Sequence, residues 1–262
     1  MYLLCFALRL GEYFILRTDQ SFWGEAFVHK LAGIAVLFIA AWRLSVDGLG
    51  FRQRQGSRRL AQGLALGLTA FFIAYGAEFL MLACQGKEPS LKVYVSAYGA
   101  EDAVQRAPLF FLLCLAGNGV NVVMEEGMFR GLFQRLLERR YSFWISARVC
   151  SLLFGLWHIV GPMRNWLDGV DSLGSAAVQA AALAVTSALV GLKWALLTQR
   201  SGGLFLAMGD HFFNNTIVNL LHVTAAGQAD PLLSLRVALA QTLSFLWVAW
   251  ISARRRTENP IA

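Results

Sequence analysis

Apolar residues in this chain fall into long runs separated by short polar breaks, at approximately 1–16, 26–46, 60–84, 107–135, 143–161, 174–198, 203–222 and 231–252. About 20 apolar residues in an α-helix cross the ~30 Å hydrocarbon core of a bilayer. The pattern therefore predicts an all-α, polytopic transmembrane bundle of about eight spans. The first run holds Arg9 and Glu12 one helical turn apart. Two readings stay open for it: a span with an internal Arg9–Glu12 pair, or a helix lying in the interface.

The breaks between runs give orientation, because Lys and Arg in short loops concentrate on the cytoplasmic side. Arg52, Arg54, Arg58 and Arg59 lie between the second and third runs, and Arg135, Arg139 and Arg140 between the fourth and fifth. Arg200 lies between the sixth and seventh, and Arg254 to Arg256 follow the eighth. Both termini are thus expected in the cytoplasm. The loop from Gln85 to Arg106 has mixed charge, with Lys87, Lys92 and Arg106 against Glu88, Glu101 and Asp102. It is long for a bare connection, which predicts a surface helix or cap over the bundle. No repeat or polar linker divides the chain, so residues 1–262 read as a single integral-membrane domain. Small residues in Gly63-Leu-Ala-Leu-Gly67 and across Ser175–Ala182 predict close helix approach.

Composition agrees: 57% of residues are hydrophobic and 15% charged, against about 25% charged in soluble domains. The net charge of +7 is dispersed between apolar runs, which fits topology signals and not a nucleic-acid surface. No nucleic-acid partner is expected; membrane lipids are. Cys5, Cys84, Cys114 and Cys150 are scattered with no CxxC pair, so neither a disulfide framework nor a cysteine zinc site is predicted. The N-terminus has no basic region followed by a small-residue cleavage site, and residues 1–16 are expected to be retained.

Against this apolar background Met124-Glu125-Glu126-Gly127-Met128-Phe129-Arg130 is out of place. Ionisable groups inside a membrane segment are expensive and tend to face a bundle interior and serve function. Asn118, Asn121 and Glu125 recur at three- and four-residue spacing and share one helix face. Glu126 lies about 100° from Glu125 but only about 40° from Arg130, so Glu126–Arg130 reads as an internal ion pair, leaving Glu125 as a candidate general base. In the fifth run Phe154 and His158 share a face. In the seventh, His211 and Asn215 are four apart, with Asn219 and His222 continuing near the same side. A carboxylate, imidazoles and a carboxamide are the groups needed to activate a water and stabilise an oxyanion.

The ordered trio Glu125-Glu126-x-x-x-Arg130, Phe154-x-x-x-His158 and His211-x-x-x-Asn215 resembles the CPBP family of CAAX-protease and bacteriocin-processing intramembrane endopeptidases. The resemblance covers about residues 107–222, the expected catalytic core. It implies peptide-bond hydrolysis by a water that Glu125 and His158 activate, with His211 and Asn215 supporting the oxyanion. Glu126, Arg130, Phe154 and Asn121 are then supporting residues. The implied substrate is a peptide or protein with a lipidated or membrane-embedded tail, cut near its C-terminus, and the implied location is the bacterial plasma (inner) membrane.

A zinc mechanism competes, since one Glu and two His can form a three-ligand site open to water. There is no His-Glu-x-x-His helix, and His158 has no obvious carboxylate behind it in sequence. A glutamic mechanism with no cofactor and no metal is the expectation. Two other classes are consistent with polar stripes at membrane depth: a proton-coupled transporter, disfavoured by the missing internal repeat, and a non-proteolytic scaffold or bacteriocin-immunity protein of the same fold.

Overall fold

The computed structural model describes residues 1–21, 26–46, 48–96 and 104–258, with side chains through Arg254. Helix follows the apolar runs. In chain order the helices are α1 (Tyr2–Gly11), α2 (Val28–Arg43), α3 (Gly56–Cys84), α4 (Pro108–Glu126), α5 (Gln134–Glu138), α6 (Phe143–Trp157), α7 (Val160–Leu167), α8 (Leu173–Ser201), α9 (Phe205–Leu220) and α10 (Leu233–Glu258). A π-helical turn, Glu12–Leu16, extends α1, and a second, Gly127–Phe133, joins α4 to α5 without a break.

Among the described residues, five helical stretches are long and apolar enough to cross a membrane: Gly56–Cys84, Pro108–Glu138, Phe143–Leu167, Leu173–Ser201 and Leu233–Arg254. Large apolar side chains stand outward along them, among them Phe72, Leu80, Leu112, Leu152 and Val178, as lipid-facing positions require. This is an integral membrane protein. The other three apolar runs fold as shorter helices: α2 and α9 have 16 residues each and α1 has 10, so the expected eight spans are approximate.

The chain forms two compact units, one of residues 1–54 and 120–204 and the other of 55–119 and 205–262. In the first, α6 packs along α8. Gly155 is required there, because a Cβ would collide with the Ala184 carbonyl oxygen. The second unit is built on α3 against α9 and α10. Its core gathers Phe71, Ala74, Tyr75 and Leu82 of α3 with Val223, Ala225 and Ala240. The expected close approach at Gly63 is present: a Cβ there would meet the Leu206 carbonyl oxygen, and would lie 2.8 Å from the Asp210 nitrogen.

Two expectations are corrected in the second unit. Among the described residues of the loop after α3 the expected surface helix is not found; they form β1 (Ser90–Val93), β2 (Val95–Ser96) and β3 (Val104–Gln105). Glu101 and Asp102 lie outside the described residues. The helix carrying His211 does not continue through His222, because Leu221–Ala225 forms β4. This strand pairs antiparallel with β1, Lys92 opposite His222, and with β5 (Gln228–Ala229). Pairing with β1 supplies hydrogen bonds that a continued helix would have supplied internally, and Asp230 completes the turn by accepting from the Val223 amide at 3.0 Å.

Candidate active site

Glu125 sits two residues before the π-helical stretch, buried to 2% exposure. The Trp157 indole N–H donates to its Oε1 at 2.9 Å, and Arg9 Nη1 lies 3.8 Å from the same oxygen. Neither partner was expected from sequence, where Glu125 has no nearby cation. Arg9 faces Glu125 in place of the Glu12 pairing that their spacing allows. Its guanidinium lies between the Tyr13 and Trp157 rings, 5.0 and 4.8 Å from their centroids, a cation–π arrangement.

Glu126 and Arg130 form the expected ion pair, Nη1 to Oε1 3.3 Å, with both side chains essentially buried. Arg130 also stacks over the Phe154 ring at 4.4 Å. The guanidinium thereby ties the π-helical turn to α6. Gly131 allows the Leu49 carbonyl to approach, since a Cβ would lie 2.7 Å from that oxygen.

Phe154 and His158 are in edge contact, with ring centroids 4.6 Å apart. The helix does not run straight through them, because α6 ends at Trp157 and His158 caps it. The His158 Nδ1–H donates to the Phe154 carbonyl oxygen at 2.8 Å. A carbonyl can only accept, so the neutral ring carries its lone pair on Nε2. The helix end thus does for His158 what an outer carboxylate does elsewhere. Asn121 is half-buried on α4, whereas Asn118, expected on the same stripe, donates to Thr216 Oγ1 at 3.3 Å within the second unit.

His211 and Asn215 lie on α9 of the second unit, His211 buried and Asn215 half-buried. Gln241 on α10 donates to Asn214 Oδ1 at 2.7 Å, and Asn214 donates to Asn215 Oδ1 at 3.0 Å. With its oxygen so engaged, Asn215 presents its NH2 group as the remaining donor. His222 is not part of this row: its ring stacks on Tyr94 with centroids 3.8 Å apart and its Nδ1 faces Asp230 Oδ2 at 2.5 Å. Burial pushes the Asp230 carboxyl up, but hydrogen bonds from His222, Arg236 and the Val223 amide outweigh it and leave the group below its ordinary range. Among the described residues, no group of three or more His, Cys, Asp or Glu side chains is gathered so as to hold a metal ion.

Residues 107–217 match the family model described as Type II CAAX prenyl endopeptidase Rce1-like. This segment is an Rce1-like domain. It contains every expected site residue from Asn121 to Asn215, and leaves out Arg9, His222 and Gln241. No match is found among curated proteins. The Rce1-like domain, together with the five apolar helices, implies a membrane-embedded protease of CAAX type, and therefore a hydrolase.

Proposed function

We propose that the chain is an intramembrane endopeptidase of glutamic type, acting on a peptide bond near the C-terminus of a prenylated or otherwise membrane-anchored protein or peptide. Glu125 takes a proton from a water that His158 also holds through Nε2. The hydroxide so formed attacks the scissile carbonyl carbon. His211 and Asn215 donate hydrogen bonds to the resulting oxyanion, each such donor being worth roughly 2.7 to 4 kcal/mol in known cases. Collapse of the oxyanion breaks the C–N bond, and the proton held by Glu125 goes to the leaving amine. Glu126, Arg130 and Phe154 brace the helix that carries Glu125, and Asn121 adds polarity to the same face.

The observation that carries this reading is the bond between the Trp157 indole and Glu125, which joins the first motif to the residue beside His158 within one Rce1-like domain. No cofactor is assigned. The partners are the lipid-tailed substrate and the membrane lipids, with no nucleic acid, and the Arg-rich loops favour action from the cytoplasmic half of a bacterial plasma membrane.

The test uses the purified full-length protein in proteoliposomes with a farnesylated peptide ending in a CAAX sequence, cleavage being followed by mass spectrometry. Glu125→Gln and His158→Ala should each lower turnover by about 10²- to 10⁴-fold while purifying normally. Full activity in either variant refutes the mechanism. Stoichiometric zinc that turnover requires would replace it with a metal one. Precursors accumulating in membranes that carry Glu125→Ala would name the natural substrate.

A further inference from the structure

Glu12, on the first π-helical turn, is fully buried and receives four donors: the Thr18 hydroxyl, the Val28 amide at 2.8 Å, the His29 amide, and His29 Nδ1 at 2.6 Å. A saturated carboxylate can only accept, so His29 bears its proton on Nδ1 toward Glu12. Its Nε2 then accepts from Arg9 Nη1 at 3.3 Å. The guanidinium, held from behind by His29 and flanked by Tyr13 and Trp157, lies 3.8 Å from Glu125 Oε1. Every one of these groups belongs to the first unit, and Arg9, Glu12 and His29 lie outside the Rce1-like segment.

The distances distinguish this arrangement from a plain ion pair. Where Arg236 serves as a structural partner, it closes on Glu78 to 2.5 Å and on Asp230 to 2.6 Å. Arg9 stays 3.8 Å from Glu125, and the short bond to that carboxylate, 2.9 Å, comes from the neutral indole. A tight guanidinium bond would consume the basicity of the carboxylate. A cation one step back compensates its charge and still leaves it able to accept a proton.

We infer that α1 and α2 supply a positioning device for Glu125: Glu12 fixes His29, His29 holds Arg9, and Arg9 with Trp157 anchors the carboxylate through Oε1. Arg9 is a positioning residue, acting through Glu125 and not on the substrate. The inference rests on the reading of Glu125 as the base.

Two measurements on the full-length protein separate the two. The first is a double-mutant cycle on melting temperature with Arg9→Gln, Glu125→Gln and the pair. Arg9→Gln should lower the melting temperature, and Glu125→Gln should restore most of that loss by removing the carboxylate charge that Arg9 no longer faces. Additive effects overturn the device whatever the enzyme does. The second is steady-state cleavage of the farnesylated peptide. Arg9→Gln should lower kcat on the order of 100-fold, the size of effect a small misplacement of a reacting group produces, with KM nearly unchanged. Arg9→Lys should recover part of the loss, and His29→Leu should resemble Arg9→Gln. Coupled stability with wild-type kcat in Arg9→Gln overturns the positioning role alone. A Glu125→Gln protein of full activity, or a wild type that does not cut, overturns the function and the positioning role together, while the stability cycle still decides whether Arg9 and Glu125 interact.

Discussion

Removing the Arg130 guanidinium isolates what it does. Arg130 is 1% exposed and Glu126 is fully buried, and the two meet at 3.3 Å. Arg130→Ala leaves Glu126 without that cation, and breaking a buried pair from one side costs about 3 to 5 kcal/mol. The variant also loses the stack over Phe154 at 4.4 Å, worth up to about 2 kcal/mol when desolvated. The combined loss is roughly 4 kcal/mol or more, or a fall in melting temperature on the order of 10 °C by the scaling for domains of similar size. Differential scanning fluorimetry of the purified protein in detergent reads it directly. The paired variant Glu126→Leu with Arg130→Met removes both charges and keeps the volume, so it should recover most of the loss, since apolar replacement of a whole buried pair is often neutral or stabilising. If Arg130→Ala melts with the wild type, or if the paired variant is worse than Arg130→Ala, the brace assigned to this ion pair is wrong.

Two further outcomes follow from the second unit. The Asp230 carboxyl is held below its ordinary range, so its hydrogen bonds stabilise the fold above the usual carboxylate pKa of about 4 and are lost as pH falls through the depressed value; Asp230→Asn should therefore flatten the acid limb of melting temperature against pH, and an unchanged limb would contradict the assignment. Gly63→Val should cost at least about 1 to 3 kcal/mol by overpacking, because the atoms it meets are backbone, whereas Gly76→Ala on the same helix, with nothing within 4 Å of its Cβ, should gain slightly from helix propensity; equal melting of the two would refute the close contact of α3 with α9.

What was legible in the sequence is what is local. Apolar runs mark the long helices because hydrophobic length is a property of consecutive residues, and Glu126–Arg130 and Phe154–His158 were readable because four residues make one helical turn. Arg9 and Trp157 were missed as partners of Glu125 because their contact depends on how separate helices pack. Trp157 reads in sequence as one more apolar residue and shows its polar N–H only when buried against an acceptor. The strand Leu221–Ala225 straddles the end of the 203–222 run and the break after it, and a short hydrophobic segment does not reveal whether it is strand or helix. The π-helical turn after Glu126 has no periodic signature in a stretch where every residue is buried.

The carboxamides of Gln241, Asn214 and Asn215 form a chain in which each oxygen accepts from the amide before it, and such a chain has a polarity that one end imposes on the other. Gln241 lies on the last helix, whose sequence carries no motif. A side chain at position 241 that offered an acceptor in place of a donor would turn the whole row around and leave Asn215 presenting oxygen where the oxyanion-donor role proposed for it calls for N–H. The terminal helix is thus more than a membrane anchor: it sets the sign of the dipole that Asn215 presents.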